Sequence, residues 1–306
     1  FLSEIDPGIS MLKKGFSIVS IVVVIVAVSG DELWKAPPGP YDVKEVVFTY
    51  SKMDATDQKI DVIYPTNSKG PFPLLVYAHG FDDKFYADYP KMATALASWG
   101  YVVAGSEACQ FGCFNCHTLK GDPPCFGYYY EEQLKVIQWS KTADAAALPI
   151  NHTAGVAIAG HSMGGQSTVF SAAYNASTFN IKAAVMHHAF THTYPAVPIP
   201  FLAFTGSVDA VAPPKMAEDI FNAPGASAVR GLINKKGVGH HEPTTAYNPE
   251  LAYFTVAFFK LFVDGQSASM GQDWSSLIFG NTSASLCGGG DGDMAECSVL
   301  GSPPSQ

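Results

Sequence analysis

Residues 155–165, GVAIAGHSMGG, constrain this chain more than any other stretch. An apolar strand runs directly into Gly160-His161-Ser162-Met163-Gly164, and a small-residue segment of helical character follows. A serine framed by glycines at a strand-to-helix turn is a nucleophile elbow. The turn must be sharp so that the hydroxyl stands clear of the sheet. Gly160 and Gly164 are needed because a β-carbon there would meet the neighbouring strand or helix. The helix N-terminus beneath Ser162 favours negative charge. A chance G-x-S-x-G in a loop would lack both flanking elements.

The elbow demands a strand beside other strands, and the surrounding chain supplies them. Pro73–His79 and Tyr101–Ser106 are short, nearly continuous apolar runs, as expected of strands buried on both faces. Gly155–Ala159, Ala183–Met186, Phe201–Thr205 and Val229–Ile233 read as further strands. Helical spacing appears over Lys84–Ser98, Tyr129–Lys141, Ser162–Tyr174, Pro214–Phe221 and Pro249–Val263. Strand and helix alternate from residue 70 to 263, which predicts an α/β fold with a mostly parallel central sheet and helices on both faces. Asp42–Tyr50 and Gln58–Tyr64 read as a hairpin that adds an antiparallel N-terminal edge. One domain is expected over residues 41–265. Residues 266–306, rich in Gly, Ser and Asp, are expected to be loosely ordered apart from a disulfide staple.

A serine hydroxyl is a weak nucleophile and needs a base oriented by an acid. With this elbow the chain order is Ser, then Asp or Glu, then His. Asp209, in FLAFTGSVDAVAPP, lies just past a strand end. His240, in VRGLINKKGVGHHEP, lies in a Gly-rich loop after the last strand. Both loops leave the C-terminal edge of the sheet, where ligands bind in open α/β folds. Asp219 and Glu218 read as solvated helix charges, and Asp264 falls after the histidine. His240 is favoured over His241 as base. The loop after PLLVYAH, with Gly80 and Phe81, leaves the same edge, so a backbone N–H of that loop and that of Met163 can form an oxyanion hole. His79 is expected to support that loop by hydrogen bonding, and His161 to pack. His187, His188 and His192 match no recognised zinc spacing and are expected to line the pocket or pack near it, so no metal site is assigned.

Residues 16–28, FSIVSIVVVIVAV, follow Lys13 and Lys14 and end in small residues. A basic start, a short apolar run and a small-residue exit read as a secretory signal over 11–30. The run is short of the roughly twenty residues of a membrane span. Residues 1–10 are read as upstream read-through before an initiating Met11, and a signal anchor is the alternative. Secretion predicts oxidised cysteines. Cys109, Cys113, Cys116 and Cys125 fall in one short stretch, C-x3-C-x2-C-x8-C, which is not a zinc-finger pattern. They read as two local disulfides whose pairing stays open among three, stapling a wall of the substrate pocket that contributes Phe111, Phe114 or Phe126. Cys287 and Cys297 would form a third bridge. Sequons at Asn151, Asn175 and Asn281 would suit a secreted glycoprotein. Lys+Arg number 18 against 27 Asp+Glu, with Arg230 the single arginine. That balance argues against nucleic acid as a partner. A hydrophobic fraction of 47% with 20 Phe and 14 Tyr excludes a mainly disordered chain.

PLLVYAHGF, GHSMGG, PIPFLAFTGSVDAVAPP and GVGHHEP, in that order, resemble the cutinase, polyester-hydrolase (PETase) and chlorophyllase-like branch of the α/β-hydrolases over about residues 42–263. The resemblance implies an α/β-hydrolase fold and a triad of Ser162, Asp209 and His240, with Phe81 and Met163 at the oxyanion hole. It implies a serine carboxylic-ester hydrolase that works on apolar esters, small, lipid or polymeric, through an acyl-enzyme and without a cofactor. The C-terminal cysteine pair also resembles those enzymes. The four-cysteine insertion departs from bacterial cutinases. MHHAFTH stands where polyester-degrading members carry a Trp, and Met163 where chlorophyllases carry an Arg. Lipase, chlorophyllase-like or acyltransferase activity on the same triad is the nearest alternative. A non-catalytic binding module on a hydrolase scaffold is the more distant one. A monomer with no membrane span after signal cleavage is expected.

Overall fold

A computed structural model describes residues 36–51, 57–113, 128–288 and 293–304. The signal segment, Cys116, Cys125, Phe114 and Phe126 lie outside the described residues.

The leading hairpin is β1 (Val43–Ser51) against β2 (Asp57–Pro65), antiparallel with Val46 opposite Val62 and Phe48 opposite Ile60. The chain then forms β3 (Leu74–Ala78), α1 (Phe85–Asp88), α2 (Pro90–Ser98), β4 (Val102–Ser106), α3 (Tyr129–Trp139), β5 (Val156–His161) and α4 (Met163–Asn175). It continues through β6 (Ile181–His187), β7 (Phe201–Gly206), α5 (Pro214–Phe221), β8 (Arg230–Lys235) and α6 (Pro249–Phe262). The last elements are a two-residue-per-strand hairpin, β9 (Ala268–Ser269) and β10 (Gln272–Asp273), then α7 (Trp274–Phe279) and β11 (Met294–Leu300).

Nine strands form one sheet in the order β1-β2-β4-β3-β5-β6-β7-β8-β11. The pairs from β4 through β8 are parallel, and both edges are antiparallel. Alternation along the buried strands feeds two cores. Leu74, Val76 and Ile158 face α3, α4 and α5, meeting Ile137, Phe170 and Ile220. Leu75, Tyr77 and Ala159 face the opposite layer, meeting Leu96 of α2, Phe258 of α6 and Trp274 of α7. Every residue of β3, β4, β5 and β7 is buried, which is why these segments read as continuous apolar runs.

Two expectations differ from the structure. The helical spacing over Lys84–Ser98 is divided into α1 and α2 at Tyr89 (φ −119°, ψ 35°). Pro90 disfavours helical backbone at the residue before it and is itself suited to the first helical position. Over its described residues the Gly/Ser/Asp-rich tail is built into the fold. β11 adds an antiparallel edge beside β8, the Cys287–Cys297 disulfide ties it back, and α7 buries Trp274 against Trp99 and Tyr253. The tail's polar composition conceals a few apolar anchors, Trp274, Ile278 and Leu286, each no more than 1% exposed. Among the described residues no helix is long and apolar enough to cross a membrane.

Candidate active site

β5 delivers Ser162 to the C-terminal edge of the sheet in a left-handed conformation, φ 55° and ψ −118°, immediately before α4 begins. That backbone is costly for a residue with a side chain and is held by its surroundings. The glycines explain how the turn fits. A β-carbon on Gly160 would come within 2.2 Å of the Gly164 carbonyl oxygen, and one on Gly164 within 2.1 Å of that of Ala78. β3, β5 and α4 therefore meet backbone to backbone beneath the serine.

Asp209 and His240 come from the loops after β7 and β8. Ser162 Oγ lies 2.9 Å from His240 Nε2, and His240 Nδ1–H donates to Asp209 Oδ2 at 2.9 Å. The other carboxylate oxygen accepts the backbone N–H groups of Val211 (2.9 Å) and Ala212 (2.8 Å). All three side chains are buried. The two loops are stitched together: Ser207 N–H donates to Lys235 O, Val208 N–H to Val238 O, and Gly237 N–H to Ser207 Oγ. His161 Nε2–H donates to the His240 carbonyl at 2.8 Å, tying the elbow to the histidine loop. Burial pushes the His161 imidazole down to about 4. The Tyr89 hydroxyl bridges His161 Nδ1 (2.7 Å) and the Asp83 carboxyl (2.5 Å) and accepts the Gly80 N–H.

Met163 is the first residue of α4 and fully buried, whereas Phe81 is 49% exposed. The loop carrying Phe81 is anchored on both sides. Gly80 N–H donates to Tyr89 Oη (2.8 Å) and Asp82 N–H to Gln110 O (2.7 Å). The His79 ring lies between the carbonyls of Gly80 and Ala108, linking this loop to the cysteine-bearing one. In that second loop Cys109 and Cys113 form a disulfide, and both pack against Met163, Ala78 and Tyr129. Phe111, between them in sequence, is 54% exposed and stands by Phe81. Val208 and Val211, flanking Asp209, are also exposed. Exposed apolar side chains thus lie on the loops that carry Asp209 and Phe81.

The remaining sequence candidates fall elsewhere. Asp219 pairs with Lys215 on the exposed side of α5, and Asp264 is held by Lys260 and Tyr101. His241 is exposed beside His240. His187 is in the core between Tyr77 and Thr255, and His192 packs near Phe190.

His188 occupies a position that the sequence reading missed. It packs near the candidate site, one of the two places expected for it, but in contacts that residue order did not show. It lies fully buried beneath the acid, donating Nδ1–H to Asp209 Oδ2 at 2.8 Å and Nε2–H to Glu242 Oε2 at 3.0 Å. The signal available was a His-His pair at the end of β6 together with an acid two residues beyond His240. Burial by itself would raise the Asp209 carboxyl, but the N–H groups of His188, His240 and Ala212 outweigh it and hold Asp209 far below the usual carboxylate range. His188, Asp209 and His240 each bring a ligating atom within 4.8 Å of the others. Each of those atoms already has a hydrogen-bond partner of ordinary length.

A family model described as PETase, PET hydrolase-like, matches residues 30–270. No curated protein matches the chain significantly.

Proposed function

The chain belongs to the PET hydrolase-like family of α/β-hydrolases and is an ester hydrolase of that type; from this premise we propose a secreted serine carboxylic-ester hydrolase with Ser162, His240 and Asp209 as its triad. The observation that carries the proposal is the unbroken chain from Ser162 Oγ to His240 Nε2 and from His240 Nδ1 to Asp209 Oδ2, each link 2.9 Å.

His240 takes the proton from Ser162 as Oγ attacks the ester carbonyl carbon. The carbonyl electrons move to oxygen, and the N–H groups of Met163 and Phe81 stabilise that oxyanion, aided by the N-terminus of α4. His240 then gives its proton to the departing alkoxide, leaving an acyl group on Ser162. A water molecule, deprotonated by His240, attacks the acyl carbon, and the carboxylic acid leaves as Ser162 regains its proton. Asp209 fixes the tautomer with Nδ1–H towards itself and Nε2 free to accept. The chemistry of these side chains is sufficient without a cofactor.

An apolar acyl or alcohol portion is favoured by the exposed apolar side chains Phe81, Phe111, Val208 and Val211 on these loops. Secretion is supported by the apolar run at 16–28 behind two lysines and by the disulfides Cys109–Cys113 and Cys287–Cys297. The test is hydrolysis of p-nitrophenyl esters from acetate to palmitate by the parent and by Ser162→Ala, with a fluorophosphonate probe as a second readout. Turnover and labelling by the parent alone support the triad. Equal turnover by both proteins overturns it.

A further inference from the structure

Asp209 Oδ2 accepts two imidazole N–H groups, from His240 and from His188. Only the first is needed for a Ser-His-Asp triad. The second belongs to a ring whose other nitrogen also faces a carboxylate, that of Glu242. Ionised carboxylates only accept, so with Asp209 and Glu242 both ionised each ring nitrogen carries hydrogen and His188 is an imidazolium. Two ionised carboxylates in a buried site are expensive unless compensated, and the ring supplies a positive charge between them.

The groups around His188 come from every neighbouring loop. Asp209 comes from the β7–α5 loop, and Glu242 and His240 from the β8–α6 loop. His161 comes from the end of β5, and His187 precedes it on β6. The rings of His240 and His161 lie 6.0 and 6.3 Å from it. Glu242 is held further by Asn248 Nδ2 at 2.7 Å and faces Lys235 Nζ at 3.7 Å. His188 itself has φ 49°, and its N–H donates to Phe204 O, so its backbone is fixed between β6 and β7. The carboxylates outweigh burial and push the His188 pKa up, while His188 holds Glu242 down against its burial.

We propose that His188, clamped between Asp209 and Glu242, is a positioning residue that locks the acid loop to the histidine loop and shares the negative charge that Asp209 offers to His240. The inference rests on the triad reading. Its consequence follows from charge. When His240 becomes protonated, the Asp209 oxygen that stabilises it is already shared with a cation about one ring away. The clamp thereby holds Asp209 in register with His240 while His240 carries the proton during turnover.

The test has two arms. In Ser162→Ala protein labelled with 15N-histidine, one ring, identified by its loss in His188→Gln, is expected to remain doubly protonated well above the ordinary histidine value of about 6.5. In Glu242→Gln that ring is expected to titrate at lower pH. A ring that is neutral at neutral pH, or one indifferent to Glu242→Gln, overturns the proposal. Separately, kcat for a p-nitrophenyl ester is expected to fall by on the order of tenfold in His188→Gln, with KM little changed. An unchanged kcat per folded molecule would reduce His188 to a packing residue. Should His188→Gln not fold, His188→Asn in the spectroscopic arm and Glu242→Gln in both arms carry the decision. Full turnover by Ser162→Ala would instead sink the triad and leave the spectroscopic result standing by itself.

Discussion

Phe111 stands edge-on to Phe81, with ring centroids 6.0 Å apart and planes inclined by 76°. The pair joins the disulfide-stapled loop to the loop whose Phe81 N–H is the proposed oxyanion donor. Two further contacts hold the same junction: Asp82 N–H to Gln110 O, and Gln110 Nε2–H to Asp82 O. In the proposed reaction, an aromatic pair there would meet the apolar part of an ester and leave the reacting atoms untouched. Phe111→Ala is therefore expected to lower kcat/KM for long-chain esters by on the order of tenfold, mainly through KM, and to change the acetate ester little. Steady-state kinetics on the two substrates decides it. Equal losses on both would mean that the loop supports the oxyanion donor and does not contact the acyl chain.

The C-terminal disulfide is a stability device. Cys287 and Cys297 close a short loop that pins β11 along β8. Replacing both by serine frees that loop in the unfolded chain, worth about 3 kcal/mol in the chain-entropy picture. The urea midpoint of Cys287→Ser/Cys297→Ser is expected to fall by the corresponding amount, with turnover per folded molecule unchanged. A drop in turnover at full folding would show that β11 also steadies the His240 loop.

What could be read from residue order and what could not divides along sequence separation. Ser162 was legible because its requirements are local: an apolar strand, crowded glycines and a helix within one short stretch. Asp209 and His240 were legible because loop position and chain order constrain them once the elbow is recognised. The His188 clamp was not. Its partners are 21 and 54 residues away, and they meet only because β6, β7 and β8 lie side by side in parallel. Composition also misled: the last forty or so residues look polar on average, yet Trp274 is fully buried against Trp99. Helical spacing likewise hid the break at Tyr89, where a single proline overrides periodicity.

Stability should fall as pH drops through the ordinary histidine range. His187 is fully buried, with Nε2–H donating to Thr255 Oγ1 and Nδ1 accepting from the Tyr77 hydroxyl, an arrangement for a neutral ring. Burial, with His188 and His161 nearby, pushes its pKa well below 6.5; burial likewise takes His161 down to about 4. Below about 6.5 the unfolded chain binds protons at these rings that the folded protein refuses. The unfolded state is then favoured by up to about 1.4 kcal/mol per pH unit for each ring. Asp209 and Glu242, with depressed pKa values, add to the loss only at lower pH. Urea unfolding between about pH 7 and pH 5 is expected to show a falling midpoint, with a shallower slope in His187→Gln. Parallel slopes in the two proteins would mean that His187 takes up its proton in the folded state as well.

Asp209→Asn tests how the acid orients the base. One Asp209 oxygen accepts two backbone N–H groups, and the other accepts two imidazole N–H groups. An amide cannot satisfy both sides. If its oxygen faces Val211 and Ala212, its NH2 faces His240 Nδ1, and His240 must accept there. The ring is then forced into the tautomer with hydrogen on Nε2, which cannot take a proton from Ser162. If the amide is turned over, its NH2 opposes two backbone N–H donors inside a buried loop. The first arrangement costs less, since His188 and His240 can each shift a proton whereas backbone amides cannot. At neutral pH kcat is expected to fall by about 10³ to 10⁴, with KM little changed, as loss of the correct tautomer predicts. Single-turnover kinetics should assign the loss to acyl-enzyme formation. A decrease below about tenfold would mean that His240 keeps its orientation without Asp209, and that its other tether, the bond from His161 to its carbonyl, is the one that holds the base in line.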